Sequence, residues 1–238
     1  NHEQETTYTD QGASASDNID GDVTASIVVT GTVDSNTAGS YTLTYNVSDT
    51  ASNAATTITR TVIVADTAPP TITLLGSTTV NVEQGTSYID AGATAADLVD
   101  GDVTAGIIMT GAVDVNTAGT YILSYSVSDA ATNAATTVTR TVVVADTIAP
   151  VITLLGSSIV NQEQAATYTD AGATASDNID GDISVNIVVT GSVDINLPGT
   201  YTLTYNVNDA TGNAATTVTR DVIIADTTAP VITLTGSA

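Results

Sequence analysis

The 238-residue chain carries 26 Asp plus Glu against three Arg and no Lys, a formal net charge of -23 and a pI near 4.1. Such a surface excludes nucleic acid as a partner, because binding a polyanion needs a cationic face. It also disfavours an anionic membrane surface, and the apolar runs are too short to span a bilayer, so no membrane insertion is expected.

The chain is nevertheless 42% apolar with a mean hydropathy of +0.21, enough burial to offset chain entropy, so a folded protein is expected. With no Cys, Trp or Phe and nine Tyr, its cores are left to Val, Ile, Leu, Ala and Tyr. That palette suits thin β-sandwich interiors. Small domains without disulfides need another staple, and a metal ion is the obvious candidate. Asn1 to Tyr8 is polar and acidic and does not read as a signal peptide.

The dominant signal is self-similarity at a period of 80: Glu3-Gln4, Glu83-Gln84 and Glu163-Gln164 recur without insertion, as do Arg60, Arg140 and Arg220, and Pro70, Pro150 and Pro230. In the second copy, segments 71–75, 79–83, 87–95, 107–114, 120–128 and 136–145 are rich in β-branched residues and bounded by Gly, Asn, Asp or Pro, and they are predicted strands. Tyr121, Leu123, Tyr125 and Val127 share one face and alternate with Ile122, Ser124 and Ser126 on the other. No stretch has helical periodicity.

Gly119-Thr120-Tyr121-Ile122-Leu123 resembles the immunoglobulin strand that carries the tyrosine corner. Ala-Pro-x-Ile-Thr-Leu, Glu-Gln-x-x-x-Tyr, Asp-x-x-Asp-Gly-Asp and Val-Ser-Asp-x-x-x-Asn together resemble the bacterial Ig-like repeat family named after a pesticidal crystal protein, in the style of hyalin and cadherin modules. The resemblance spans the whole chain. It implies an all-β fold of three tandem immunoglobulin-like β-sandwiches, found in surface adhesins and secreted proteins, and an extracellular address on a cell-surface fibre.

The expected domains are 1–66 (lacking its first strand), 67–146 and 147–226 (complete), with 227–238 as a spare C-terminal strand. Counting strands puts entry and exit of each unit at opposite poles, so the units are expected to stack end to end as a rod. The same parity brings the Asp-x-x-Asp-Gly-Asp loop, the last hairpin and the preceding connector to one pole. Candidate metal ligands are therefore Asp17, Asp20, Asp22 and Asp49; Asp66, Asp97, Asp100, Asp102 and Asp129; Asp146, Asp177, Asp180, Asp182 and Asp209; and Asp226.

An all-oxygen cluster of this size selects calcium, which takes six to eight oxygen ligands in flexible geometry. An EF-hand is rejected because its helices and terminal Glu are missing. Zinc and iron lack soft ligands, since the one His is His2. Asp34, Asp114 and Asp194, at the other pole, read as turn formers. One His and no Cys leave no nucleophilic triad, and no enzyme is expected.

The first copy aligns from Asn81 and Asn161 onward and so lacks a Pro-x-Ile-Thr-Leu strand, whereas Pro230, Val231, Ile232, Thr233 and Leu234 follow the third copy as a spare. A spare strand inserted into an incomplete sandwich of the next subunit gives a head-to-tail homopolymer, with Asp226 delivered to the acidic loop it meets. Two alternatives stand beside this filament: a segment of a long calcium-dependent adhesin stalk, and a carbohydrate-binding module displaying Thr57, Thr59 and Thr61.

Overall fold

The computed structural model describes residues 1–236, so the last two residues of the expected 227–238 strand lie outside the described residues. By contact the chain forms two compact units. One comprises Asn1–Val80, Ile89–Val113 and Tyr121–Val142; the other comprises Asn81–Tyr88, Asp114–Thr120 and the chain from Val143 onward.

The third repeat, within the second unit, shows the architecture most plainly. Its larger sheet runs Ile159–Glu163, Val218–Ala225, Gly199–Asn206, Val188–Thr190, and its smaller one Val151–Leu154, Ala173–Asp177, Gly181–Asp182. Ile159–Glu163 lies parallel to Val218–Ala225 and the other pairings are antiparallel. The first strand is thus split, Val151–Leu154 serving one sheet and Ile159–Glu163 the other.

Alternation decides what fills the space between the sheets. Leu203, Tyr205 and Val207 point inward from the larger sheet and meet Ile152 and Ala175 of the smaller one. The second repeat uses Leu123, Tyr125, Val127, Ile72 and Ala95 in the same places, all buried.

Two segments depart from their predicted form. Of 107–114 only Ile108–Thr110 forms a strand, and 87–95 is replaced by a strand shifted to Ala93–Asp97. Gly92 adopts φ +79 and donates its N–H to Asp90 Oδ2, which turns the chain before the ladder starts. The turn aims Asp90 at Arg140, whose guanidinium pairs with Asp90 and donates to the carbonyls of Leu75, Ser77 and Gly92. Arg220 repeats this with Asp170, Leu155, Ser157 and Gly172, and both Arg side chains are 1% exposed. A buried ion pair with its donors satisfied explains how a guanidinium sits inside a sandwich. Short 3-10 turns at Thr24–Ser26, Thr104–Gly106 and Ser184–Asn186 are the helical elements among the described residues.

The first repeat differs on one side. Its larger sheet, His2–Glu3, Ile58–Ala65, Gly39–Asn46, Val28–Thr30, matches the others, but its smaller sheet is only Ser16–Asp17 with Gly21–Asp22. Among the described residues no strand covers the outer edge of that hairpin.

Candidate metal centre

Each acidic loop is a tight hairpin in which Asp97 pairs with Gly101, with Gly101 at φ +71, the left-handed conformation that Gly adopts without a Cβ penalty. Asp97 Oδ1 accepts the N–H groups of Val99 and Asp100, leaving Oδ2 buried and without a partner. Asp177 is built the same way, with Oδ2 again buried and unpaired. The loop folds by spending one oxygen of its first Asp and reserving the other.

The last hairpin contributes Asp129, held by Asn133, whose N–H reaches Asp129 Oδ1 and whose Nδ2 reaches Oδ2 and also the carbonyl of Asp66. Asn213 does the same for Asp209 and the carbonyl of Asp146. The Asp and Asn of the Val-x-Asp-x-x-x-Asn motif are thus a clamp on the incoming connector.

As a result, carboxylate oxygens of Asp66, Asp100 and Asp129 come within 4.8 Å of one another, as do those of Asp146, Asp177 and Asp209, and those of Asp17, Asp20 and Asp49. Asp180 accepts the N–H of Ala210 and so ties its loop to the hairpin, as Asp100 does with Ala130. Asp66 Oδ1 is buried without a partner. Burial, then the charges of Asp129, Asp97, Glu3 and Asp100, push the Asp66 carboxyl above its ordinary range. Burial and the charges of Asp177 and Asp209 do the same to Asp146, against the opposing N–H of Ile148. Asp209 moves the other way: burial opposes its charge, but donors from Asn213, Thr211 and Gly212 outweigh it.

Six predicted ligands lie outside these groupings: Asp97 and Asp180, described above, and four more. Asp22, Asp102 and Asp182 are exposed and accept the N–H of Thr24, Thr104 and Ser184, two residues ahead, at the start of the 3-10 turn that follows. Asp226 is exposed and accepts the N–H of Thr228. Asp34 and Asp114 close turns onto Asn36 and Asn116, the role expected of them.

The Glu of the Glu-Gln pair was overlooked as a site residue. Glu3 accepts the N–H and hydroxyl of Thr67, Glu83 those of Thr147, and Glu163 those of Thr227. Glu3 Oε1 is buried without a partner, and Glu83 lies beside Asp146 and Asn178. The exact recurrence of Glu3, Glu83 and Glu163 was visible in the sequence, but nothing local showed that the strand carrying them ends beside the connector. Ile179 packs on Gly85 at the same place, while its counterpart Ile19, with no repeat before it among the described residues, is 85% exposed.

The donor set is oxygen only. Three unpaired buried oxygens at the first connector and one at the second are what a hard cation would satisfy, and they fit calcium. No helix among the described residues is long and apolar enough to cross a membrane.

Two facing sheets, a split first strand and Tyr41 and Tyr201 hydroxyls bonded to the carbonyls of Thr37 and Leu197, the tyrosine corner, define a tandem immunoglobulin-like sandwich protein with acidic connectors. The chain belongs to the family of the bacterial surface protein Ig-like domain, whose model matches residues 2–64, 72–144 and 152–224. That makes it a bacterial surface repeat protein. No curated protein matches the sequence.

Among solved structures, the chain is similar to the lipoprotein BT2262 from Bacteroides thetaiotaomicron, with 33% identity and a TM-score of 0.31 over 34% of this chain and 40% of that one. It is also similar to the M60 catalytic domain with the CBM51-1 and CBM51-2 domains from Clostridium perfringens ZmpB, with 11% identity and a TM-score of 0.39 over 78% of this chain and 33% of that one. The chain therefore spans well under half the length of either.

Proposed function

We propose that the chain is a structural, non-catalytic subunit of an extracellular filament, built head to tail, whose inter-repeat connectors are rigidified by calcium. The observation that supports it is the gathering of Asp66, Asp97, Asp100, Asp129 and Glu3 around one connector with oxygens left buried and unpaired. Asp146, Asp177, Asp209 and Glu83 form the equivalent set at the next. Calcium neutralises such a cluster and ties connector, loop and hairpin together; extracellular modules do this with Kd about 10⁻⁴ to 10⁻³ M.

The division of labour follows from the hydrogen bonds. Asn133 and Asn213 orient the hairpin carboxylates, Thr67 and Thr147 orient Glu3 and Glu83, and the loop N–H groups fix one oxygen of Asp97 and Asp177. The second reading, a segment of a calcium-dependent adhesin stalk, draws on the same near-identical connectors and differs only in what lies beyond the chain. Calorimetric titration of the chelator-treated chain with calcium tests the metal reading: uptake at two connectors is expected, and no heat at millimolar calcium would overturn it. Sedimentation of the same samples tests self-association.

A further inference from the structure

In the third repeat the chain enters through Val151–Leu154 and Ile159–Glu163 and leaves through Val218–Ala225. The last two of these run parallel over their register, from Ile159 opposite Asp221 to Glu163 opposite Ala225. The other pairings of the repeat are antiparallel. The strand that brings the chain in and the strand that takes it out are therefore direct neighbours pointing the same way.

That arrangement decides how tension along the chain meets the hydrogen bonds. Tension draws Ile159–Glu163 backward from its first residue and Val218–Ala225 forward from its last, so the two strands are pulled past each other along their length. Parallel ladder bonds are evenly spaced, so in sliding they share the load and must break together. In an antiparallel pair the same two chain ends would lie side by side, and tension would open the ladder one bond at a time. Gly199–Asn206 and Val188–Thr190 lie between the two strands in sequence and stay outside the load path until the pair parts.

Both ends of the ladder are tied. Asp221 donates its N–H to the carbonyl of Ser158 at 2.8 Å, and Gln164 donates its N–H to the carbonyl of Ala225 at 2.9 Å. With these ends fixed, alternation assigns the ladder bonds of the entering strand to Ser158, Val160, Gln162 and Gln164. Just before the ladder, the buried Arg220 holds the carbonyls of Leu155 and Ser157, pinning the split in the first strand to the leaving strand. Just after it, Glu163 accepts the N–H and hydroxyl of Thr227. Sliding of the leaving strand stretches every one of these bonds. The same ties recur in the second repeat, where Thr141 donates to Thr78, Gln84 to Ala145, and Arg140 to Leu75 and Ser77.

We infer that the paired entry and exit strands are a shear clamp, which makes the third repeat, and the second by the same bonds, an element that bears tension along the chain. The clamp holds when its strands are slid and gives way when they are peeled. It uses no metal and no second chain, so it stands or falls apart from the filament reading.

The chain has no cysteine, so force handles are placed by single substitutions. Ser158→Cys with Thr228→Cys grips the strand pair at its opposite ends; Thr167→Cys with Thr228→Cys grips both strands beyond the same end, and all three positions are exposed. Each full-length chain is pulled in chelator at one rate. The first grip should need at least about twice the force of the second, because it loads the ladder bonds together. In the first grip, Gln162→Pro removes a ladder N–H and should bring the force down to about that of the second. Val207→Ala truncates a buried side chain away from the ladder; it should lower the urea midpoint and leave the first-grip force within about a tenth of its value.

Equal forces from the two grips overturn the clamp, whatever Gln162→Pro does to folding. A first-grip force that falls with Val207→Ala as far as with Gln162→Pro, or that survives Gln162→Pro in a folded repeat, overturns it as well.

Discussion

Asn133 donates one side-chain amide to two acceptors, Asp129 Oδ2 at 2.7 Å and the backbone carbonyl of Asp66, 67 residues away, at 3.3 Å. One side chain therefore positions a carboxylate of its own repeat and the connector that enters it. Replacing the partner of a metal-binding carboxylate commonly weakens binding 10- to 100-fold. Asn133→Ala should lower calcium affinity at the first connector by about that factor, measured by calorimetry, with the site at Asp146 unaffected.

Calcium removal should show as lost stability. With Kd about 0.1 mM, 10 mM calcium is about 100 times Kd and stabilises the bound repeats by about 2.7 kcal/mol. Tm should then rise by several degrees over the chelated chain, as followed by circular dichroism. No change would count against occupied connectors.

Two acidic substitutions should behave oppositely. Glu83→Gln keeps an acceptor for the Thr147 N–H but removes charge beside Asp146, and calcium affinity at the second connector should fall. Asp102→Ala removes a carboxylate spent on the Thr104 N–H, and calcium affinity should stay within a factor of about two, since the change disturbs a local turn and not the cluster. A large loss from Asp102→Ala would restore it to the ligand set.

Acid stability should be governed by the Arg220 node. Burial opposes the charge of Asp170, but hydrogen bonds from Tyr205 and Arg220 and the Arg220 charge outweigh it, holding its carboxyl below the ordinary 3.8. A depressed carboxylate contributes stability that is full above the unfolded value and is lost as pH falls through the folded one. In chelated protein, Asp170→Asn should flatten the drop in Tm below about pH 3.8 and lower Tm at pH 7.

Arg220→Met leaves Asp170 facing a sandwich interior without its partner. Breaking one side of a buried pair costs about 3 to 5 kcal/mol. The urea midpoint of the third repeat should fall accordingly, and Arg60→Met, at a more exposed pair, should cost less.

The three-fold repeat, the inward stripe of Leu203, Tyr205 and Val207 and the pole carrying the acidic loop were all legible, because period-2 alternation and an 80-residue recurrence are properties of order along the chain. Gly92 escaped that reading. A single left-handed residue ends a pattern that side-chain chemistry alone would extend across 87–95.

The sequence by itself determined which atoms are on offer: oxygen ligands in each copy and no cysteine. Only the tertiary structure decided which carboxylates keep a free oxygen. Asp102 spends its oxygen on the N–H two residues ahead, whereas Glu3 is carried by its strand to the connector beside Asp66 and leaves Oε1 buried and unpaired. Local hydrogen bonds consume an acceptor and long-range packing exposes one, and neither is set by residue identity.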